Sequence, residues 1–305
     1  MAFLDVKAYE PWSQVLLLHN SDFSLYELTE HFHFARYLAA YPGLMLEDDL
    51  PGLGYSVFVS VIVSLNVVLF RRFYRVCLGS APSFLMLVIF VLIHIAMNGR
   101  GPIGWFGWLL CLDLFARFNH PANEFSLFTV GSGSQVIGAM LFSSVSSGVF
   151  IVVFVSIIYL FIRWMKLHEF RDGFYISRLV VSSLVAATIG YVVYRAVVYA
   201  FDAISKILEF FGSFSDVISH GLGAFELSSD GILVLFAICI GGVSVFFVRY
   251  VLRDRLPPDI WTLLCIAMVG GAFGFTTLTL TIPLFLVLMG ACLSLLASAW
   301  AREAG

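Results

Sequence analysis

Long apolar runs that end at clusters of arginine are the feature of this sequence that most restricts its fold. The first run covers residues 52–70, and Arg71, Arg72 and Arg75 follow it directly. Further apolar runs cover residues 82–97, 103–115, 134–162, 179–211, 231–251, 260–273 and 276–300. Because a helix needs about 20 apolar residues to cross a bilayer, the pattern predicts an all-α polytopic membrane protein with about eight or nine transmembrane or half-membrane helices.

The composition excludes several other classes of protein. Hydrophobic residues make up 60% of the 305 residues and charged residues only 12%, whereas about a quarter of an ordinary soluble domain is charged. A chain with so few charges cannot cover its own surface in water, which excludes a soluble enzyme and a disordered protein. The 17 basic and 20 acidic residues leave a net charge of −3, so a nucleic-acid partner is excluded as well.

The distribution of charge along the chain predicts its orientation. Residues 71–75, 163–178 and 249–255 are rich in arginine, whereas residues 1–51 and 212–230 are mainly acidic. Since basic loops stay in the cytoplasm, the N-terminus is predicted outside and the C-terminus inside. The predicted organisation is an external acidic segment over residues 1–51, a single transmembrane helical domain over 52–300 with an external loop at about 212–230, and a cytoplasmic tail over 301–305.

The apolar run at 134–162 contains a serine-rich interruption, SSVSSG, at residues 143–148. Arg117 and Arg163 are both predicted on the cytoplasmic side, so an even number of crossings must separate them. This favours two short helices over 134–145 and 149–162 that turn at SSVSSG. Such broken helices line protein-enclosed or water-filled cavities. One continuous helix with a serine-lined packing face is the alternative.

Ionisable side chains at membrane depth indicate either a functional site or a buried pair. Arg195 and Arg100 are both predicted in the outer leaflet, with His94 one turn below Arg100. Asp202, seven residues after Arg195, and His220 in the external loop are predicted on the same side. The structural interpretations are that Arg195 pairs with Asp202, that Arg100 is an ordinary interfacial arginine and that His94 is a packing residue.

Two arginines in one outer pocket would suit a phosphate ligand. Arginine is permanently charged and forms bidentate hydrogen bonds to phosphate oxygens. A lipid-linked pyrophosphate would reach such a pocket without leaving the bilayer, and a carboxylate from the acidic first segment would serve as a general base toward a sugar hydroxyl. The sequence predicts no metal site and no cofactor, because its histidines and cysteines lack the spacing of metal ligands.

Three stretches resemble the Wzy/EpsG-like family of bacterial polysaccharide polymerases, which build O-antigen and exopolysaccharide. The first is Asp22-Phe-Ser-Leu-Tyr26 with Glu47 and Gly54 downstream, similar to the family's D-x-x-x-Y loop and its acid–glycine step. The second is Arg100-Gly-Pro-Ile-Gly-Trp105, which opens a helix as in the family. The third is the turn at SSVSSG, similar to the family's small-residue outer turn, although serines stand where the family often has a histidine.

The resemblance implies a polymerase in the bacterial inner membrane that joins undecaprenyl-pyrophosphate-linked oligosaccharides at the outer face. It implies that Arg100 and Arg195 hold the departing pyrophosphate and that Asp22, or one of Glu47–Asp49, deprotonates the acceptor. The residues assigned to substrate binding are His94, Tyr26, Glu47, Asp202 and His220. The implied partners are the lipid-linked oligosaccharides, the bilayer, a flippase and a chain-length regulator, with no cofactor.

Two other functions remain open from the sequence. A transporter or flippase of an anionic lipid-linked glycan would use the same arginines for binding alone, but it should carry polar groups at the membrane midplane. A non-catalytic membrane subunit would use Arg100 and Arg195 only as pairing residues.

Overall fold

The computed structural model describes residues 11, 13–21, 23–24, 27, 33–97, 99–119, 130–168, 246–253, 256–270 and 279–303. These residues form helices and connecting turns, with no strand among them. The predicted all-α fold class is therefore confirmed for the described part of the chain.

The bounds of the described helices are α1 Ser13–His19, α2 Phe34–Asp49, α3 Gly54–Leu78, α4 Phe84–Ala96, α5 Arg100–Phe118, α6 Val130–Ser143, α7 Ser147–His168, α8 Pro258–Gly270 and α9 Thr281–Glu303. Seven of the described helices follow predicted apolar runs, whereas α1 and α2 lie in the segment predicted to be external, and the predicted runs at 179–211 and most of 231–251 lie outside the described residues. By length and composition, α3 and α9 can each cross a membrane. The shorter apolar segments Phe84–Ala96, Gly148–Trp164 and Pro258–Gly270 accompany them. These helices support association with a membrane.

The break in the serine-rich run is confirmed, and the single-helix alternative is wrong. Helix α6 ends at Ser143 and α7 begins at Ser147. The backbone N–H of Ser146 donates to the Ser143 carbonyl at 3.2 Å, which closes the turn. Gly107 of α5 packs against the end of α6, where an added Cβ would lie 2.5 Å from the Ser143 nitrogen. Helix α7 continues to His168 and is longer than predicted.

The predicted external N-terminal segment contributes two helices to the packed structure. Helices α1 and α2 join the start of α3 in a small apolar cluster that includes Val15, Ala39 and Leu44. Gly43 permits the close approach, because a Cβ there would lie 2.6 Å from the ring of Phe58. The segment is thus partly integrated with the helical domain rather than only a loop beside it.

Side-chain contacts distinguish two ends of the bundle. At the first end, the start of α2 contacts the α6–α7 turn through Arg36 and Ser144. At the second end, the later part of α3, the later part of α5 and the first turns of α6 meet through Arg72, Asp113 and Gln135. The start of α5, with Arg100 as its first residue, also lies at the first end, where Gly104 packs against Val145 of the α6–α7 turn. We therefore call the first end the Arg100 end and the second the Asp113 end. The prediction assigns the Arg100 end to the outside and the Asp113 end to the cytoplasm.

Candidate functional site

The candidate site lies at the Arg100 end, where two arginines from separate helices come within electrostatic range of each other. Arg100 is the first residue of α5 and is partly buried. Among the described residues, the guanidinium of Arg36, in the first turn of α2, is a like charge within electrostatic range of Arg100. Holding two cations together is unfavourable in a partly dehydrated place. An anion with two negative charges would offset that repulsion and bind to both.

Arg36 is held in position by contacts from two other parts of the fold. Its Nε donates to the backbone carbonyl of Ser144 at 3.1 Å, and its Nη1 donates to the side-chain oxygen of Gln14 at 3.5 Å. The α6–α7 turn therefore fixes the guanidinium beside the start of α5. The serine-rich turn, predicted to line a functional cavity, serves here as a support for an arginine.

A buried hydroxyl group lies close to the candidate site. Tyr55, near the start of α3, is fully buried. Within the described ranges its hydroxyl has no hydrogen-bond partner, and it lies within electrostatic range of Arg100. A buried hydroxyl without a partner is unfavourable by about 1–3 kcal/mol. Because Tyr55 is as buried as the core residues around it, a ligand phosphate cannot reach this hydroxyl in the present arrangement, and the candidate anion site consists of the two arginines.

Glu47 is engaged in the corner between α2 and α3. Its carboxylate accepts hydrogen bonds from the backbone N–H groups of Gly52 and Tyr55, the latter at 2.8 Å. Gly54 stands against the end of α2, where an added Cβ would lie 2.0 Å from the Leu46 carbonyl oxygen. The acid–glycine step seen in the sequence is therefore a tight helix–helix corner. This geometry gives Glu47 a helix-capping role in place of a free carboxylate.

We expect Glu47→Ala to lower the free energy of unfolding by about 1–2 kcal/mol, because two backbone donors lose a charged acceptor. Glu47→Gln should lose less stability, since its amide oxygen can still accept a hydrogen bond from a backbone N–H group. Chemical unfolding in detergent measures both, and the exposed Asp49→Ala is the control for stability alone. A Glu47→Ala protein that keeps its stability but loses activity would instead support the substrate-binding role.

His94 lies in the core of the bundle. It is fully buried, its Nδ1–H donates to the Phe90 carbonyl at 2.8 Å, and its Nε2 accepts from the Asn66 amide at 3.0 Å. The ring also packs edge-on against Trp105, with centroids 4.6 Å apart. The imidazole is therefore neutral, and the structure places it in a packed interior with no exposure to a substrate.

Asn66 links three helices through its amide group, and we expect Asn66→Leu to destabilise the fold. The amide donates to His94 on α4 and, at 2.9 Å, to the Pro102 carbonyl on α5. Removing it leaves two buried acceptors without donors, with an expected loss of about 1–3 kcal/mol. Thermal unfolding in detergent tests this. Ser64→Leu, on the exposed side of the same helix, is the matched control, and equal loss in both variants would contradict the expectation.

Five of the residues predicted to form the site fall outside the described residues. These are Asp22, Tyr26, Arg195, Asp202 and His220. Their assigned roles stay predictions. In the described residues, the arginine within electrostatic range of Arg100 is Arg36. The sequence did not predict Arg36 as a site residue.

Two buried carboxylates form ion pairs at the Asp113 end. Asp113 pairs with Arg117, four residues later on the same helix, at 2.9 Å, and also with Arg72 at 3.1 Å. Gln135 donates to the same carboxylate at 2.9 Å. These contacts join α3, α5 and α6.

The second carboxylate, Asp259, lies in the first turn of α8. It pairs with Arg163 and accepts a hydrogen bond from the Tyr159 hydroxyl at 2.8 Å. This pairing joins α7 to α8. Its only sequence signal was an acidic residue after two prolines at the start of an apolar run.

In comparisons with protein-family models, with curated proteins and with solved structures, nothing matches this chain.

Proposed function

We propose that this protein is a multi-pass polymerase of the bacterial inner membrane that joins undecaprenyl-pyrophosphate-linked oligosaccharide repeats at the outer face. The N-terminus lies outside, the C-terminus lies inside, and the Arg100 end faces the substrate. The reaction is a glycosyl transfer that needs no metal and no nucleotide. Its partners are the lipid-linked oligosaccharides and the bilayer, and a flippase and a chain-length regulator act in the same biosynthetic process.

One observation carries this proposal. Arg36 and Arg100 lie within electrostatic range of each other at one end of the bundle, where Arg36 also bonds to the α6–α7 turn. Two guanidinium groups supply the fixed positive charge and the hydrogen-bond donors that a pyrophosphate requires. In a polymerase these groups would stabilise the negative charge that develops on the leaving pyrophosphate. Arg195 is proposed to join them.

The proposed reaction transfers a growing glycan to a single repeat. The acceptor hydroxyl attacks the anomeric carbon of the donor, the bond from that carbon to the pyrophosphate oxygen breaks, and the pyrophosphate leaves with its lipid. A carboxylate takes the hydroxyl proton. Glu47 is engaged by backbone donors and Asp48 by His19, at 2.8 Å. Asp22 and Asp49 are therefore the proposed bases.

Deletion of the gene in its host, followed by gel analysis of surface polysaccharide, tests the function. A polymerase deletion should remove the ladder of long chains and leave single-repeat or core-only material, and the wild-type gene should restore the ladder. An unchanged ladder would overturn the proposal. Loss of all lipid-linked repeats from the outer face, with repeats accumulating inside, would indicate a flippase instead.

A further inference from the structure

We propose that a groove on α3 at the Asp113 end binds the phosphate headgroup of an anionic phospholipid. Arg71, Arg72 and Arg75 line the groove together with Val68 and Val76. This inference rests on the membrane location of the chain and is independent of the polymerase reaction. A failed polymerase test would therefore leave it standing, and the reverse is also true.

The three arginines are arranged to hold an anion beside the helix. They project over one stretch of α3 around an open groove of about 400 Å³. Arg72 is oriented by Asp113, with 3.1 Å between its Nε and the carboxylate, while about half of its side chain (53%) stays exposed. Within the residues that the structure covers, Arg71 and Arg75 form no ion pair.

An apolar stripe leads along the same helix into the groove. Val61 and Val68 are 52% and 62% exposed, and Leu65 lies between them on the same face. Steps of three and four residues continue this stripe to Arg72 and Arg75. A ligand that fills both parts has an anionic head and a hydrocarbon tail. This continuity favours a phospholipid over inorganic phosphate, which would contact the arginines alone.

Charge complementarity identifies the class of lipid. Arginine binds phosphate oxygens through paired N–H donors, and cationic groups near a membrane surface prefer lipids with a net negative charge. A phosphatidylglycerol headgroup has that charge, and phosphatidylcholine does not. We therefore expect the groove to select phosphatidylglycerol.

The test measures lipid binding to the purified full-length chain in detergent by native mass spectrometry, with phosphatidylglycerol and phosphatidylcholine as probes. The variant is Arg71→Gln with Arg75→Gln, which leaves the Arg72–Asp113 pair intact. Its affinity for phosphatidylglycerol should fall roughly thirtyfold, since each arginine near an anionic lipid contributes about fivefold. Binding of phosphatidylcholine should be weak and unchanged.

The matched control is Arg249→Gln with Arg253→Gln, which removes two exposed arginines from another basic segment. It should keep its affinity for phosphatidylglycerol. Val68→Trp, which fills the apolar side of the groove and keeps every charge, should also weaken phosphatidylglycerol binding. Equal loss in the two double variants would overturn the proposal, because it would indicate general charge attraction. Displacement of the lipid by millimolar inorganic phosphate would also overturn it, in favour of a soluble-anion site.

Discussion

Replacement of Arg100 by lysine is expected to lower polymerisation by at least about a hundredfold, because the variant loses a donor that acts on charge developing in the transition state. Lysine keeps the positive charge but loses the planar fork that binds two phosphate oxygens at once. Arg36→Lys should have a similar effect, and it should also weaken the contact with Ser144. The length of surface polysaccharide, measured after complementation of the deletion strain, reports both effects.

The matched control for these variants is Arg302→Lys. Arg302 is exposed, and its Nε donates only weakly, at 3.3 Å, to a carbonyl in its own helix. It should leave the ladder unchanged. A full ladder from Arg100→Lys would mean that charge alone suffices, as expected of a pairing residue in a non-catalytic subunit. Protein levels in the membrane must be equal in all strains for this comparison.

Replacement of Asp113 by alanine is expected to lower the free energy of unfolding by about 3 kcal/mol, since it removes a buried carboxylate that pairs with two partly exposed arginines. Asp113 is 1% exposed, and its carboxylate forms ion pairs with Arg72 and Arg117 and accepts a hydrogen bond from Gln135. Unfolding of the purified protein in detergent gives the measurement. Asp48→Ala, which removes an exposed hydrogen bond with His19, should lower the free energy of unfolding by about 1 kcal/mol or less.

An Asp113→Ala protein as stable as the Asp48→Ala control would contradict this account of the Asp113 end. A double variant, Asp113→Ala with Arg117→Ala, separates the pair from its surroundings. It should be less destabilised than the sum of the two single changes, because each single change leaves an uncompensated charge that the double change removes.

The positions of α3 to α9 followed from the sequence because apolar runs of this length form helices by a local requirement, whereas α1 and α2 were not predicted. The break between α6 and α7 was also predictable. The charge distribution required an even number of crossings between Arg117 and Arg163, and the serine-rich segment lay where the chain had to turn. Contacts between segments that are distant in the sequence were harder to predict. Arg36 lay in a segment interpreted as an external loop, so its approach to Arg100 could not be deduced without the helix α2 that carries it.

The roles of individual polar residues depended on packing that the sequence does not encode locally. Glu47 was assigned to substrate from its acid–glycine spacing, but the same spacing places its carboxylate on the backbone N–H groups at the start of α3. His94 was assigned from its depth, and the Asn66 amide that holds it comes from another helix. Asp113 could be paired with Arg117 from spacing on one helix, whereas Arg72 required the fold.

The most direct test of the central claim is turnover by the purified full-length chain in proteoliposomes, given an undecaprenyl-pyrophosphate-linked repeat from its host and a metal chelator. The wild-type protein should form glycan chains of two or more repeats with release of undecaprenyl pyrophosphate, and the Arg36→Lys and Arg100→Lys proteins should form none. Unpolymerised repeats with folded wild-type protein, or equal turnover by the lysine variants, would contradict the central claim.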